Sequence, residues 1–301
     1  MKAQLDPTAY ADADTTDAEN IEANAILKLT KDLKKSAATL SKDEVRYLVD
    51  FYYQIQGERI RARSRLRAIS ETDQPHEVIA WLSDNTSVLE KQIARAVTAY
   101  AESILVGQWS MSIMGIGGIL AAGLLAHIDI EKAPTSGHIE RFGGLDPTIK
   151  WEKGQKRPYN AKLKVLFWKI GESFVKVSGN EKDFYGKIYL KEKAHLTKIN
   201  EKGGFKHVAA QALIDKKYRK ETEAYKAYSQ GRLPLAQIHA RAKRKAVKLF
   251  VSHWHEVAYR YRWGKLPPKP YVIDIMGHAD YIPPPNNPFP EPKPTKGKRK
   301  K

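Results

Sequence analysis

Two stretches between residues 109 and 174 combine residue types that can handle phosphate. In the first, Gly115-Ile116-Gly117-Gly118 lies between a short apolar segment and a helical pattern carrying Ala121, Leu124, Leu125 and Ile128. Glycine reaches φ > 0 readily, so Gly115 and Gly117 let a backbone or a ligand come close. The first N–H groups of the following helix have no intrahelical partner, and together with the turn they form an anion site suited to a phosphate. Plain close packing of a buried turn uses the same glycines, and this is the competing reading. A nucleotide P-loop is excluded, because no Lys-Ser/Thr pair follows. A membrane span is disfavoured: the uncharged run falls short of the ~20 apolar residues required and is loaded with glycine.

The second stretch is basic. Lys150, Lys153, Lys156, Arg157, Lys162, Lys164 and Lys169 fall close together, interleaved with Trp151, Tyr159 and Trp168. Lysine and arginine neutralise phosphates, and flat rings stack on bases or ribose. A solvated basic face over a small core, with the rings simply buried, is the alternative. The adjacency of turn and basic stretch favours nucleic acid. The spacing of Trp109, Ile113, Gly115, Ile116, Gly117 and Ala121 resembles a helix-hairpin-helix element, which grips a nucleic-acid backbone without reading bases.

A longer order of motifs points the same way. Gly115-Ile116-Gly117, Ala121 and Leu124-Leu125-Ala126 are followed by Phe142-Gly143-Gly144-Leu145-Asp146-Pro147 and then by Asn160, Leu163 and Lys164. Further on come Tyr218-Arg219, Ala240-Arg241-Ala242, Lys248-Leu249-Phe250 and Trp254. This order resembles the C-terminal transposase domain of the IS-one-ten insertion-sequence class, which includes the Piv-type DNA invertases. The resemblance extends over much of residues 43 to 285 and implies DNA binding in transposition or recombination, with Asn160 added to the DNA-facing set. It also implies a helical connector that assembles homo-oligomers and meets a structured RNA.

Two departures bear on catalysis. The resembled class carries an N-terminal RuvC-like domain with a DEDD set of metal-binding carboxylates, and such a domain does not fit in the forty residues before the connector. Mg2+ is therefore expected only if a RuvC-like partner supplies that set. The class also uses a serine shortly after the Leu-x-Pro motif, where this chain reads Thr148-Ile149-Lys150-Trp151-Glu152-Lys153-Gly154. Ser173 is the nearest candidate nucleophile. The expected protein binds DNA and lacks autonomous strand cleavage. A serine-dependent recombinase working with a RuvC-like partner, and an RNA-binding structural protein, are the alternatives.

Composition sets the frame. The 301 residues hold 52 Lys and Arg against 34 Asp and Glu, a net charge of +18 that favours polyanionic partners. With no cysteine there is no disulfide framework, no thiol nucleophile and no Cys-based zinc site, which fits a reducing, cytoplasmic setting. Asp6, Asp12, Asp14, Asp17, Glu19 and Glu22 match no calcium-loop spacing and read as a solvated, disordered arm. His239, His253 and His255 lack carboxylates at ligand spacing and read as structural or surface histidines, so no metal site is assigned.

The elements that must position these residues are helical. Ser41 and Glu44 form a capping box for a long amphipathic helix with Leu48, Phe51, Tyr52, Ile55, Ala62, Leu66 and Ile69 on one face. Arg59, Arg61, Arg63, Arg65 and Arg67 alternate along it, as a solvated face or a phosphate track. Helices are predicted at 75–82 and 87–106, then near 182–200, 208–229 and 235–263. The last presents Ala246, Val247, Phe250, Val251, Trp254, Val257, Ala258 and Tyr261 on one wide face. The fold class is mainly α: a helical-hairpin or coiled-coil connector, then a helix-hairpin-helix transposase-like helical domain. The ranges are a largely disordered acidic arm and short helix at 1–40, the connector at 41–108, the domain at 109–266, and an extended, proline-rich basic tail at 267–301. In that tail, 271–273 reads as a short strand or packing segment, and the final lysines add sequence-independent attraction to phosphates.

Overall fold

The computed structural model describes residues 29–71, 77–149, 151–268 and 281–289, and every regular element among them is helical. The chain divides into two compact units, up to Ala99 and from Tyr100 onward. No helix among the described residues is long and apolar enough to cross a membrane. The acidic arm, Lys150, the 271–273 segment and the final lysines lie outside the described residues.

In the first unit Thr30 caps a short helix, α1 (Lys31–Ser36). The next, α2 (Lys42–Ser70), begins at the predicted capping box: Glu44 N donates to Ser41 Oγ, and Ser41 N donates to the Glu44 carboxylate. Its predicted apolar face is only half buried, while Val45 and Val49 are fully so. The two helices predicted at 75–82 and 87–106 are instead a single α3 (Glu77–Glu102). The polar residues between those two ranges lie inside the helix. Asn85 Nδ2 and Thr86 Oγ1 turn back onto the carbonyls of Trp81 and Leu82, at 2.9 Å each.

A polar seam joins α2 to α3. Arg59 pairs with Glu90, Gln56 also donates to Glu90 at 3.3 Å, and Arg63 reaches Ser87 at 3.3 Å, so the helices run antiparallel. Burial works against the charge on Glu90, but the hydrogen bonds from Arg59 and Gln56 hold its carboxyl below the usual range. Of the alternating arginines, Arg59, Arg61 and Arg63 are thus engaged within this unit, Arg61 through Glu58.

The second unit contains α4 (Leu105–Ser112), α5 (Gly118–His127), α6 (Ser136–Phe142), α7 (Ala161–Val177), α8 (Tyr185–Glu201), α9 (Lys206–Asp215), α10 (Glu223–Ser229) and α11 (Leu235–Trp263). The long α11 has the predicted bounds and packs against α4, α6, α7 and α8. Its predicted face is buried except for Tyr261, which is 53% exposed. One helix was expected over 208–229, but it breaks into α9 and α10. Lys216 turns extended after α9, and Thr222 starts α10 afresh by accepting from Tyr225 N. At the centre, Phe250 stacks on Trp109 and meets Phe174 and Tyr185 edge-on, with ring centroids 5.3 to 5.9 Å apart.

Residues 281–289 fasten onto this unit through polar hooks. Trp109 Nε1 donates to Pro285 O at 2.8 Å, Tyr281 Oη donates to the Glu256 carboxylate, and Asn286 Nδ2 donates to Ser112 O at 3.0 Å. His253 Nε2 lies 2.8 Å from Ile282 O, an acceptor only, so that nitrogen carries the proton and Nδ1 accepts from Tyr185 Oη. Of the histidines read as structural or surface, His253 and His255 are buried, and His255 Nε2 contacts Ala133 O at 2.8 Å.

Burial pushes the His253 imidazole down to about 4, against a small opposing contribution from its bond to Ile282. A histidine depressed in the folded state contributes its full stability above its unfolded value near 6.5, and loses it as pH falls from there toward 4. The difference corresponds to about 3 kcal/mol. Burial raises Glu140 and Glu256, whose effect over this range has the opposite sign. The comparison that isolates His253 is therefore with His253→Gln, which cannot take up charge. Between pH 6.5 and pH 4 the wild type is expected to lose about 3 kcal/mol more than the variant. Urea unfolding at stepped pH measures this.

Candidate nucleic-acid interface

The glycine turn is anchored from below and open above. Ile113 and Ile116 are buried, at 4% exposure each, and Ile116 N closes the turn onto Ile113 O at 3.0 Å. Gly115 takes φ +92°, the left-handed conformation that favours glycine. Gly117 corrects the expectation of positive φ: its φ of −92° and ψ of 174° are extended backbone, open to any residue. Its value is space instead, since a Cβ there would meet no atom within 4 Å. Gly117 is also the N-cap of α5 and brings no side chain to satisfy the first N–H groups of that helix. Gly118 opens α5 behind it.

α7 holds the turn in place. Ser173 Oγ donates to Gly115 O, and a Cβ at Gly115 would lie 3.0 Å from that hydroxyl oxygen and 3.3 Å from Val177 Cγ2. The candidate nucleophile is thus a latch between helix and turn. On the same flank of α7, Lys162, Lys169 and Lys176 recur every seven residues, which places them in one row with Ser173 between the last two. Burial, then the nearby charge of Lys176, pushes the Lys169 ammonium below its ordinary value. A concavity of about 580 Å³ opens over the turn, with Lys182 and Asn286 on its walls. An ammonium group on the wall of a concavity that opens onto a helix N-terminus favours an anion.

The rest of the basic stretch lies elsewhere. Trp151, Lys153, Lys156 and Arg157 sit in an exposed loop before α7. Trp151 Nε1 donates to Gln155 O at 2.8 Å, and the Arg157 guanidinium lies 5.4 Å from the Trp151 ring. Asn160 is committed to structure: it is the N-cap of α7, its Oδ1 accepting from Leu163 N at 3.0 Å. Lys164 turns to the opposite flank, its ammonium 4.0 Å from the Tyr159 ring. The glycine turn therefore meets α7 at Ser173 and Val177, between which Lys176 lies, while Lys162 stands eleven residues before Ser173 at the far end of the helix and Lys164 and the loop lie apart from the turn. Sequence reasoning missed Lys176, Lys182 and Asn286. The seven-residue spacing signalled Lys176; nothing in the pattern signalled the other two.

No group of three or more His, Asp or Glu among the described residues is arranged to hold a metal ion. Residues 108–186, which include the turn, the basic loop, α7 and the start of α8, match the family described as Transposase IS116/IS110/IS902 family. No curated protein and no solved structure matches the chain. The family match supports a transposase-like role in transposition.

Proposed function

We propose that this chain grips duplex DNA in transposition or recombination, in the cytoplasm, through a helix-hairpin-helix element made by α4, the glycine turn and α5, and that it does not cleave strands on its own. The observation that carries the reading is the open face of Gly117 at the start of α5, with Lys182 on the wall of the concavity over it and with the turn held against the C-terminal part of α7, where Lys169 and Lys176 flank Ser173. A phosphate there meets backbone N–H groups and ammonium charge at once. Lys153, Lys156 and Arg157 add longer-range attraction. These are backbone contacts, so little sequence preference is expected.

Strand cleavage by serine requires a base to take the hydroxyl proton. Ser173 instead gives that proton to a peptide carbonyl, which supports a positioning role. Titration of a labelled random duplex across a salt series is the test. Log affinity is expected to fall against log salt with a slope of roughly −3 or steeper, each phosphate contact giving about −0.9. An affinity that ignores salt would sink the proposal. Supercoiled plasmid incubated with the protein and magnesium is expected to stay closed and free of bound protein after denaturation.

A further inference from the structure

The outward face of α7 carries a feature that backbone gripping does not use. Trp168 is 57% exposed, and Val165, three residues earlier on the same face, is 52% exposed. Trp168 lies four residues beyond Lys164, so the two side chains are neighbours on the helix surface. Lys164 covers the Tyr159 ring at 4.0 Å, and Lys243 of α11 lies 5.3 Å from the Trp168 ring. Rings and ammonium groups therefore alternate along this flank, from Tyr159 through Lys164 and Trp168 to Lys243.

The Trp168 end of that line is built. Lys243 pairs with Glu172, one turn further along α7, and its side chain is only 12% exposed. Its stem crosses Gly171 so closely that a Cβ there would lie 2.6 Å from Lys243 Cγ. The missing side chain at Gly171 thus lets Lys243 lie flat on α7, where Glu172 fixes the ammonium beside the indole. The ring keeps more than half of its surface open to solvent. An exposed indole edged by cations attracts a partner that is flat, apolar on its face and negatively charged alongside.

We propose that Trp168 is a stacking site for an unpaired base of single-stranded DNA, whose backbone runs past Lys164 and Lys243. The idea rests on the nucleic-acid reading above, but it uses the opposite flank of α7 from the glycine turn. Paired bases hide their faces within the duplex, so this flank distinguishes an opened strand from a closed one. The neighbouring lysines select a nucleic acid over an uncharged apolar partner.

The test compares a fluorescein-labelled oligo-dT with a random duplex of equal length, by anisotropy, on the full chain. Stacking on an aromatic side chain contributes ~1–3 kcal/mol per base, so Trp168→Ala is expected to weaken oligo-dT binding by about 5- to 150-fold. Duplex affinity should stay within about twofold, and Trp168→Phe should recover most of the single-strand binding. Circular dichroism of both variants confirms the fold. Equal losses on both probes, no loss on oligo-dT, or a wild type that ignores oligo-dT would each overturn the proposal. A wild type that binds oligo-dT but not the duplex would leave the stacking site standing and remove the duplex reading instead.

Discussion

Gly115→Val is expected to lower the stability of the second unit by about 2 to 5 kcal/mol and to abolish duplex binding with it. A β-branched residue forced to positive φ costs ~1–3 kcal/mol, and overpacking against Ser173 and Val177 adds a similar amount. The latch from Ser173 to Gly115 O is broken as the turn moves away. Gly117→Val, two residues on, should behave in the opposite way. Its backbone is extended and its Cβ enters open space, so stability should fall by only about 1 kcal/mol, the loss from replacing a glycine N-cap by valine. Duplex affinity should still fall tenfold or more, since the new methyl groups stand where a phosphate approaches, and one charge-assisted hydrogen bond contributes ~1.5–3 kcal/mol. Unfolding curves and anisotropy titrations on the two variants make the comparison. A stable Gly117→Val protein with wild-type affinity would assign the turn to packing alone.

Phe250→Ala should be more damaging still to the fold. Phe250 is fully buried where α4, α7, α8 and α11 meet, and its ring touches those of Trp109, Phe174 and Tyr185. Truncating a phenylalanine at such a site costs ~3–5 kcal/mol through lost transfer energy and the cavity left behind. For a unit of this size that lowers the unfolding midpoint by roughly 6 to 20 °C. Tyr185→Phe is the control: it keeps the ring and removes only the hydroxyl that His253 Nδ1 accepts from, a loss of ~1–3 kcal/mol. Calorimetry that ranks Tyr185→Phe as the worse of the two would move the centre of the core from the rings to the polar pair.

Periodicity and capping made some of this architecture readable in advance. The Ser41 capping box and the bounds of α11 are local signals, and both helices start where those signals lie. The gap expected between 82 and 87 is helical, because Asn85 and Thr86 satisfy themselves on the preceding turn and so cost the helix little. The break between α9 and α10 has a local signal in Thr222, an N-cap type residue ahead of Tyr225. At the candidate interface, the glycines were legible as a type but not by role. The conformational demand on Gly115 and the open space at Gly117 arise from the fold around them, which two glycines of one turn do not express in sequence. Asn160 read as a DNA contact, although Asn directly before an apolar helical run is also an N-cap signal. The approach of Lys182 and Asn286 to the turn depends on tertiary packing, for which sequence spacing carries no signal.

The hooks that hold residues 281–289 also set an order of events during synthesis. Trp109 Nε1 finds its acceptor on Pro285, 176 residues later, and His253 cannot bond Ile282 until that residue has left the ribosome. At ~5–20 residues per second, the indole of Trp109 waits roughly 10 to 35 seconds after it is made. Phe250 itself is made only 35 residues before Pro285, so for roughly the last 2 to 7 seconds of that wait the ring cluster forms with its polar rim wet and incomplete. Nascent chains stalled shortly before and shortly after residue 289 has emerged should therefore differ in resistance to protease around α4, with protection arriving only in the longer one.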